Sequence, residues 1–256
     1  MDLSQLARRV MEHQLSGRPM KKLTAEYPDL TVEDAYRIQA LCVEAAEARG
    51  DRPTGWKMGL TSRAKQISVG VDEPVYGRLM ASMELRKPRL SLAGLIHPRV
   101  EPEFAFILKH DLGGPHVTAR DVWAATECVM PALEVIDSRY ENFSFTLEDG
   151  VADNASSAKF YVGEQVYLPY GIRLDEVGVT VRKNGEAVVT GAGAAVLGHP
   201  VRSVILLAQM LSRVGKIIEA GAVVLTGGIT EAVPVKAGDW IQVIFDGMGI
   251  IELAVD

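Results

Sequence analysis

Two glutamates separated by a single residue open a strand-like segment, and a third glutamate interrupts a later apolar segment. The pair is Glu101 and Glu103 in "RVEPEFAF", and the third is Glu134 in "PALEVID", 33 residues after Glu101. Side chains two residues apart in a strand point to the same side, so the pair shares one face while Phe104 and Phe106 occupy the other. Like charges that are close together and buried repel each other unless a cation or protons compensate them.

Three carboxylates with no histidine or cysteine beside them form an all-oxygen site, which suits Mg²⁺ or Mn²⁺ and disfavours zinc. A solvated strand end is the alternative interpretation of Glu101 and Glu103 alone. Glu134 argues against it, because Leu133 and Val135 beside it indicate an inward-facing apolar strand, where an unpaired charge is costly. The sequence therefore predicts a divalent-cation site that leaves positions for water and substrate.

The segments that would position these glutamates are mainly β-strands. After residue 55 the chain consists of short β-like runs separated by glycine and proline. Asn184 and Gly185 predict a tight hairpin turn, since both central positions of such a turn have positive φ. Pro102 lacks a backbone N–H, which predicts a sheet edge or an opening between the two glutamates. The predicted strand runs are "RVEPEFAFILK", "CVMPALEVIDSRY", "KFYVGEQV", "VGVTVRKNGEAVVTGAG", "GAVVLTGGI" and "DWIQVIFDGMGIIELAVD".

Helices are predicted mainly in the N-terminal part of the chain. One ends near Leu15, and a second is capped by Thr31 and ends at Gly50. Two later segments are also predicted to be helical, "DVWAATECVM" and the stretch that begins at Pro200 and closes at Gly221. Strands and helices do not alternate regularly, which excludes a doubly wound nucleotide fold. The predicted fold class is α/β (α+β), with a small helical N-terminal cap over residues 1–80 and a mixed, largely β catalytic domain over residues 81–256.

Composition and charge limit the class of protein. With 256 residues, 48% of them hydrophobic, the chain can bury a full core. Its 27 basic and 33 acidic residues give a net charge of −6, which disfavours a nucleic-acid partner. No segment reaches the roughly 18 apolar residues of a membrane span, and Glu12 and Gln14 interrupt the run that a signal peptide would need. We therefore expect a soluble, cytoplasmic protein.

At the glutamates the sequence resembles the fumarylacetoacetate hydrolase superfamily, whose metal site combines a Glu-x-Glu strand with a further acidic residue downstream. The resemblance extends over nearly the whole chain. It is strongest to the branch of 2-oxo-3-hexenedioate (4-oxalocrotonate) decarboxylases and vinylpyruvate (2-oxopent-4-enoate) hydratases of catechol meta-cleavage pathways. It implies a fumarylacetoacetate-hydrolase-like fold, Mg²⁺ or Mn²⁺ at Glu101, Glu103 and Glu134, and a homo-oligomer. The stretches that carry it are "GWKMGLTSRAKQ", "EPVYGRL", "IHPRVEPEFAF", "PALEVIDSRYENF", "VADNASSAKF", "KNGEAVVTGAGAAVLGHP" and "TGGITEAVPVKAGD".

The resemblance also implies which other residues act on the substrate. Lys57 in "TGWKMGL" is expected in the active site, where it would stabilise or protonate an enolate oxygen. A lysine that extends from an edge strand to solvent is the alternative. Asp153 and Ser156 in "VADNASS" are expected on the substrate side, with Ser156 binding the 1-carboxylate and Asp153 orienting Lys57 or a water. For both, the alternative is a turn held by side-chain hydrogen bonds.

Two threonines and an arginine are further candidates. Thr226 and Thr230 flank the Gly-Gly turn of "LTGGIT" and would add a hydroxyl and backbone donors near the metal, with a purely structural turn as the alternative. Arg139 could reach a distal carboxylate of the substrate, but an ion pair with Asp137 or Glu141 is the preferred interpretation.

Within the branch, the residues favour decarboxylation. "EVIDSRYENF" and "LTGGITEAVPV" are similar to the decarboxylases, and Val75 stands where hydratases tend to carry an aspartate that is useful for adding water. The expected substrate is a small dicarboxylic 2-oxo acid, 2-oxo-3-hexenedioate, and the expected products are 2-hydroxypenta-2,4-dienoate and CO₂. The resemblance further implies a complex with the vinylpyruvate hydratase of the same pathway.

Three alternative functions follow from the same resemblance. One is the hydratase itself. A second is an acylpyruvate-type hydrolase on the same scaffold, which would need a His-Glu pair that the sequence after Thr61 lacks. A third is a non-catalytic partner of a hydratase, against which the three glutamates and Lys57 argue.

Overall fold

The computed structural model describes residues 1–62, 66–67 and 73–256. Residues 63–65 and 68–72 lie outside the described residues, and they include part of the stretch "GWKMGLTSRAKQ". The α-helices in the described ranges are α1 Leu3–Ser16, α2 Leu23–Glu26, α3 Val32–Ala48, α4 Ala119–Ala125, α5 Leu147–Ala152 and α6 Val201–Arg213. The strands are β1 Pro53–Gly59, β2 Val75–Met80, β3 Arg89–Leu90, β4 Arg99–Leu108, β5 Thr126–Ile136, β6 Ser157–Val162, β7 Gly178–Lys183, β8 Glu186–Ala192, β9 Val223–Leu225, β10 Val233–Pro234, β11 Trp240–Phe245 and β12 Gly249–Val255.

The strands form two sheets, which confirms the predicted mixed α/β fold class. A seven-stranded sheet has the order β2-β1-β9-β4-β5-β6, with β10 also paired to β4, and it curls into a half-barrel. A five-stranded sheet has the order β3-β12-β11-β7-β8. β1 and β2 lie within residues 1–80, the predicted N-terminal cap, yet they belong to the same sheet as β4 and β5.

The two faces of β4 differ as the alternation of its sequence predicts. Phe104 and Phe106 lie in the large core that the two sheets share with α6, and the ring centre of Phe104 is 6.0 Å from that of Phe245 on β11. Ala105 lies on the opposite face of the seven-stranded sheet, in a separate apolar cluster that includes Leu225. The two glutamates of β4 are therefore on the same face as Ala105 and that smaller cluster.

Pro102 lies at an opening in the sheet, as predicted. On one side β4 pairs with β10 at residues 99 and 100, and with β9 only from Ala105 to Ile107. Pro102 falls between these two ladders, where its missing N–H costs no hydrogen bond. Its carbonyl accepts a hydrogen bond from the backbone N–H of Ile229, at 2.9 Å, so the loop after β9 passes beside the glutamates.

The N-terminal helices pack into a core of their own, which contains Leu6, Ala35, Ile38 and Val151. The predicted start and end of α3 are confirmed, because Thr31 and Asp34 form a capping box and Gly50 has a φ of +89°. The hairpin at Asn184 and Gly185 is confirmed as well, since their φ angles are +54° and +90°. None of the helices in the described ranges combines the length and apolar character that a membrane crossing requires.

Two helix predictions are wrong in extent. "DVWAATECVM" is helical only to Ala125, and the strand β5 begins at Thr126, whose hydroxyl donates to the carbonyl of Val122 at 2.7 Å. The helix after Pro200 ends at Arg213 and not at Gly221. Gly215, with a φ of +69°, adopts the left-handed conformation that ends a helix, and the next backbone N–H returns to the carbonyl of Leu211.

Candidate active site

The three glutamates predicted to bind a metal come together on one face of the seven-stranded sheet. Glu101 of β4 lies directly opposite Glu134 of β5 in the antiparallel register, and Glu103 follows on the same face. One carboxylate oxygen from each lies within 4.8 Å of the other two. All three side chains are buried, at 6%, 0% and 0% exposure in chain order.

Neighbouring groups orient two of these carboxylates. Ser157 donates its hydroxyl to Glu134 Oε1 at 2.7 Å, and the backbone N–H of Gly227 donates to Glu103 Oε2 at 2.6 Å. Gly227 must be glycine, because its φ is +101° and a Cβ would lie 2.0 Å from Thr61 Oγ1. Glu103 Oε1 is buried without a hydrogen-bond partner in the described ranges. The chain thus holds these acids in place and leaves an oxygen directed at the space between them.

Lys57 lies beside the glutamates. It belongs to β1, an inner strand between β2 and β9, so it is not the edge-strand lysine of the alternative interpretation. Its Nζ is 3.0 Å from Glu134 Oε2 and donates to the carbonyl of Ala155 at 3.1 Å. We refer to Lys57, Glu101, Glu103 and Glu134 as the glutamate cluster.

Among the described residues, the glutamate cluster combines three carboxylates with one cation, Lys57. Burial raises the pKa of Glu103, and the nearby Glu134 carboxylate raises it further. Burial also raises the pKa of Glu134, against the lowering effect of Lys57. For Lys57, burial favours the neutral amine, but the three carboxylates outweigh it and raise its pKa. A buried all-oxygen donor set with excess negative charge fits a hard divalent cation.

A cavity of about 370 Å³ opens above the cluster. Lys57 and Glu101 form its charged floor, and Ser156 lies along its wall. The remaining surface includes an aromatic and aliphatic roof, made by Phe143, Phe145 and Leu147, an apolar wall at Val75, and a rim that carries Arg99. The cavity therefore combines a charged floor with largely apolar walls, as small-molecule sites do.

A strained turn between α5 and β6 forms one wall of this cavity. Asn154, Ala155 and Ser156 have φ angles of +53°, +51° and +58°, a left-handed conformation that is uncommon for residues other than glycine. The amide of Asn154 fixes the turn to β2 by accepting from the N–H of Arg78 at 2.7 Å and donating to its carbonyl at 2.9 Å. The turn directs the Ala155 carbonyl at Lys57 and leaves Ser156 Oγ buried without a partner in the described ranges. Such strain is typical of functional sites.

Comparisons with known proteins place this geometry in a family. The chain is 46% identical, over 95% of its length and 92% of the relative's, to the 4-oxalocrotonate decarboxylase of Pseudomonas sp. (strain CF600). It is 42% identical to the 2-hydroxyhexa-2,4-dienoate hydratase of Comamonas testosteroni, over 94% and 92% of the two chains. The structure of the 4-oxalocrotonate decarboxylase from Pseudomonas putida G7, complexed with magnesium and adipate, superposes with a TM-score of 0.96 at 42% identity and covers 99% of this chain and 97% of that one. No protein-family model matches.

The chain belongs to the fumarylacetoacetate hydrolase superfamily. Within it, the chain falls in the branch of 4-oxalocrotonate decarboxylases and 2-keto-4-pentenoate hydratases. Identity does not separate the two activities, because another decarboxylase relative is 37% identical while the hydratase above is 42% identical.

In this member of the branch, Asp153 does not contact Lys57. Its carboxylate forms an ion pair with the Arg139 side chain and accepts from the Arg139 backbone N–H at 2.9 Å. Arg139 therefore pairs with Asp153, and not with the carboxylate of Asp137 or Glu141 as predicted. The Asp137 carboxylate instead accepts from the backbone N–H groups of Ile96 and His97. Asp153 acts on the turn that carries Ala155 and Ser156, so its contact with the site is indirect.

Arg139 donates to the backbone carbonyls at both ends of that turn. Its guanidinium contacts the carbonyl oxygens of Asp137, Asp153 and Ser157 in addition to the Asp153 carboxylate. Burial raises the pKa of Asp153 to about 6, although Arg139 acts in the opposite direction. We refer to these two residues as the Arg139–Asp153 pair.

The hydroxyl groups of the two threonine candidates differ in their hydrogen bonding. Thr226 is fully buried at the end of β9, and its hydroxyl has no hydrogen-bond partner in the described ranges. Thr230 donates its hydroxyl to the carbonyl of Glu231 at 2.9 Å, within its own loop. Neither lines the cavity. The predicted backbone donor of this turn is Gly227, through its bond to Glu103.

Sequence reasoning missed several residues of the site. Ser157, which orients Glu134, stands next to the predicted Ser156, and only the β5–β6 register, which pairs it with Ile136, brings its hydroxyl within reach of that glutamate. Phe143 and Phe145 in "YENFSFTL" form part of the roof, and Arg99 stands two residues before Glu101. The position of Arg99 on the glutamate face of β4 could have been predicted from the alternation of the strand.

Proposed function

We propose that this protein catalyses the metal-dependent decarboxylation of 2-oxo-3-hexenedioate (4-oxalocrotonate) to 2-hydroxypenta-2,4-dienoate and CO₂. The observation that carries the proposal is the apolar wall of the cavity at Val75. Val75 lies beside Gly59 and Leu60 in the cavity wall, at the position where hydratases tend to carry an aspartate. The acids among the described lining residues are Glu101, within the cluster, and Glu231, which is exposed. An acid for adding water is therefore missing from this part of the described wall, and decarboxylation needs none.

Glu101, Glu103 and Glu134 would hold Mg²⁺ or Mn²⁺, and a six-carbon dicarboxylate with magnesium occupies the related decarboxylase from Pseudomonas putida G7. When bound, the ion supplies Lewis acidity toward the 1-carboxylate and the 2-keto oxygen of the substrate. Glu103 Oε1 supports this assignment, because it is buried without a donor among the described residues, which is otherwise costly.

The electron flow follows from the substrate. The C5–C6 bond breaks, the carboxylate leaves as CO₂, and the electron pair passes through the 3,4 double bond to the 2-keto oxygen. The result is a dienolate, which becomes 2-hydroxypenta-2,4-dienoate when one proton reaches that oxygen. No carbon atom has to be protonated, so the enzyme needs only to stabilise the developing negative charge.

The side chains of the cluster and the turn provide that stabilisation. Lys57 is kept positively charged by the surrounding carboxylates and would donate its proton to the dienolate oxygen. Ser156 Oγ, buried and unpartnered in the described ranges, would donate to the 1-carboxylate. The roof of Phe143, Phe145 and Leu147 would exclude water, which strengthens the electrostatic interactions beneath it.

The test is an assay of the purified protein with Mg²⁺ and two substrates, 2-oxo-3-hexenedioate and 2-hydroxypenta-2,4-dienoate, with CO₂ release and products followed by NMR. We expect one CO₂ per dienoate formed from the first substrate. EDTA or the variant Lys57→Met should abolish it, whereas Lys109→Met, outside the cavity, should have no effect. Addition of water to the dienoate without CO₂ release would contradict the proposal and identify a hydratase.

The hydratase is the second candidate, because a hydratase relative is nearly as similar to this chain as the decarboxylase relatives. Val75→Asp separates the two. If the apolar wall supports decarboxylation, the aspartate should lower CO₂ release and introduce measurable hydration of the dienoate. A wild-type protein that already hydrates the dienoate, and in which Val75→Asp changes nothing, would show that Val75 does not set the reaction.

A further inference from the structure

Arg99 lies at the rim of the cavity with an unusual set of contacts. It stands two residues before Glu101, on the same face of β4, and its side chain lines the cavity. Its guanidinium carbon lies 4.2 Å from the centre of the Phe143 ring. In the described ranges, the Arg99 side chain has no carboxylate partner and no hydrogen bond. Among the described residues, an aromatic ring positions this cation and no carboxylate neutralises it.

The stacking on Phe143 prepares Arg99 to bind an anion. An arginine stacked by its flat face keeps the N–H groups of its edge available, and two of them match the two oxygens of a carboxylate. Phe143 is itself packed, with ring centres 5.1 Å from His97 and 5.9 Å from Phe145. The guanidinium therefore loses little freedom when it binds a ligand.

The spacing from Arg99 to the glutamate cluster suits a short dicarboxylate. Same-face residues of a strand are about 7 Å apart. The terminal carbons of an extended six-carbon chain are about 6 Å apart, given carbon–carbon bonds of about 1.5 Å. Lys57, the other cation among the described lining residues, is already in contact with Glu134 and Ala155. A second carboxylate in this cavity would therefore find its donor at Arg99.

We propose that Arg99, supported by Phe143, binds the carboxylate of the substrate that lies farthest from the 2-oxo group and so makes the cavity selective for dicarboxylic 2-oxo acids. This inference rests on the proposed function, in that it places the 2-oxo acid end at the glutamate cluster. The bound carboxylate loses its charge when it leaves as CO₂, so a tight ion pair does not favour the bond-breaking step. Arg99 acts on substrate selection and its removal raises KM more than it lowers kcat.

The test compares 2-oxoadipate with 2-oxohexanoate. The two ligands share the 2-oxo acid end and the chain length, differ in the distal carboxylate, and lack the 3,4 double bond that decarboxylation requires. Their binding to the Mg²⁺-loaded protein is measured by calorimetry. We expect the wild type to prefer 2-oxoadipate and Arg99→Gln to weaken 2-oxoadipate binding by about 10- to 100-fold, the usual range for a charged hydrogen-bonded pair, while 2-oxohexanoate binding is unchanged.

Two further variants sharpen the result. Phe143→Leu removes the aromatic support and keeps an apolar side chain, so it should give a smaller loss that is again confined to 2-oxoadipate. Arg89→Gln is the matched control, because Arg89 is exposed and paired with Asp256 away from the cavity. It removes the same charge and should leave both affinities unchanged.

The outcomes separate this inference from the proposed function. A wild type without preference for 2-oxoadipate would overturn the role of Arg99, as would an Arg99→Gln variant that keeps the preference or loses both ligands equally. If neither 2-oxo acid binds the Mg²⁺-loaded wild type, the proposed function fails and this inference fails with it. Decarboxylation by a wild type that lacks the preference would overturn the inference alone.

Discussion

The protein buries two groups of charged side chains that are joined by one strained turn. The glutamate cluster holds three carboxylates and Lys57, and the Arg139–Asp153 pair holds one charge of each sign. Lys57 donates to the carbonyl of Ala155 in the turn, and Arg139 donates to the carbonyls that flank it. Both groups are almost fully buried, so burial alone does not tell them apart.

They differ in whether the described residues satisfy every hydrogen-bonding atom of the group. Arg139 contacts the Asp153 carboxylate and three backbone carbonyls, and all of these partners belong to the protein. In the glutamate cluster, burial and repulsion raise the pKa of Glu103, and its Oε1 atom has no hydrogen-bond partner in the described ranges. Native structures rarely leave such an atom unsatisfied. A buried charged group with an unsatisfied hydrogen-bonding atom indicates a ligand site, whereas a group whose atoms are all satisfied indicates a structural role.

The largest expected effect comes from Glu103→Gln, which keeps the side-chain volume and the acceptor for Gly227. We expect decarboxylation to fall by about 1000-fold or more, because a metal ligand is lost. In EDTA, however, the free energy of unfolding should stay the same or rise by about 1 kcal/mol, because one of three mutually repelling carboxylates is removed. Urea denaturation with EDTA and with Mg²⁺ measures both effects, and the Mg²⁺-dependent stabilisation of the wild type should disappear.

The control for this variant is Glu44→Gln, an exposed glutamate paired with Arg37. It should change neither the activity nor the effect of Mg²⁺. If Glu103→Gln instead destabilises the metal-free protein by several kcal/mol, the glutamate cluster is a structural network like the Arg139–Asp153 pair, and the comparison breaks down.

The opposite response is expected from Arg139→Gln. Its loss leaves the Asp153 carboxylate buried without a cation, which typically costs about 3–5 kcal/mol of unfolding free energy. Mg²⁺ should not restore this loss beyond the stabilisation that it gives the wild type, because Arg139 does not contact the three glutamates. The measurement is urea denaturation at saturating Mg²⁺. A cost below about 1 kcal/mol, the level of an exposed ion pair, would show that the pair is not structural.

The positions of the three glutamates were predictable because they depend on local rules. Alternation in a strand places Glu101 and Glu103 on one face whatever the surrounding fold, and Pro102 indicates an opening because it has no N–H to donate. Apolar neighbours indicate that Glu134 faces inward. These features require knowledge of only a few adjacent residues, and the structure agrees with each of them.

The Arg139–Asp153 pair was not predictable on the same basis. Its members are 14 residues apart, and the left-handed turn after Asp153 contains no glycine from which it could have been predicted. Asp137 is nearer to Arg139 in sequence, but its carboxylate is taken by two backbone N–H groups of the segment before β4. The extent of α4 and α6 failed for a related reason. Thr126 belongs to β5 because it pairs with a neighbouring strand, which overrides its local helical pattern. After Gly215, the apolar residues still follow a helical spacing, although the helix has already ended.

The smallest expected effect distinguishes the two groups by pH. Burial raises the pKa of Asp153 to about 6, while an aspartate in the unfolded chain has a pKa of about 3.9. Between these values the folded protein retains a proton that the unfolded chain has released. The contribution of Asp153 to stability is therefore fully present below about pH 4, declines as the pH rises to about 6, and amounts to at most about 3 kcal/mol.

Asp153→Asn cannot titrate, so its unfolding free energy should fall less steeply than that of the wild type between pH 4 and 6, as measured by urea denaturation. Glu103 and Glu134 also have raised pKa values and contribute slopes of the same sign, but both proteins retain them and the difference isolates Asp153. Parallel curves would mean that Asp153 stays ionised in the folded protein throughout this range. In that case the lowering of the Asp153 pKa by Arg139 exceeds the raising by burial, and the two charges of the pair compensate each other fully.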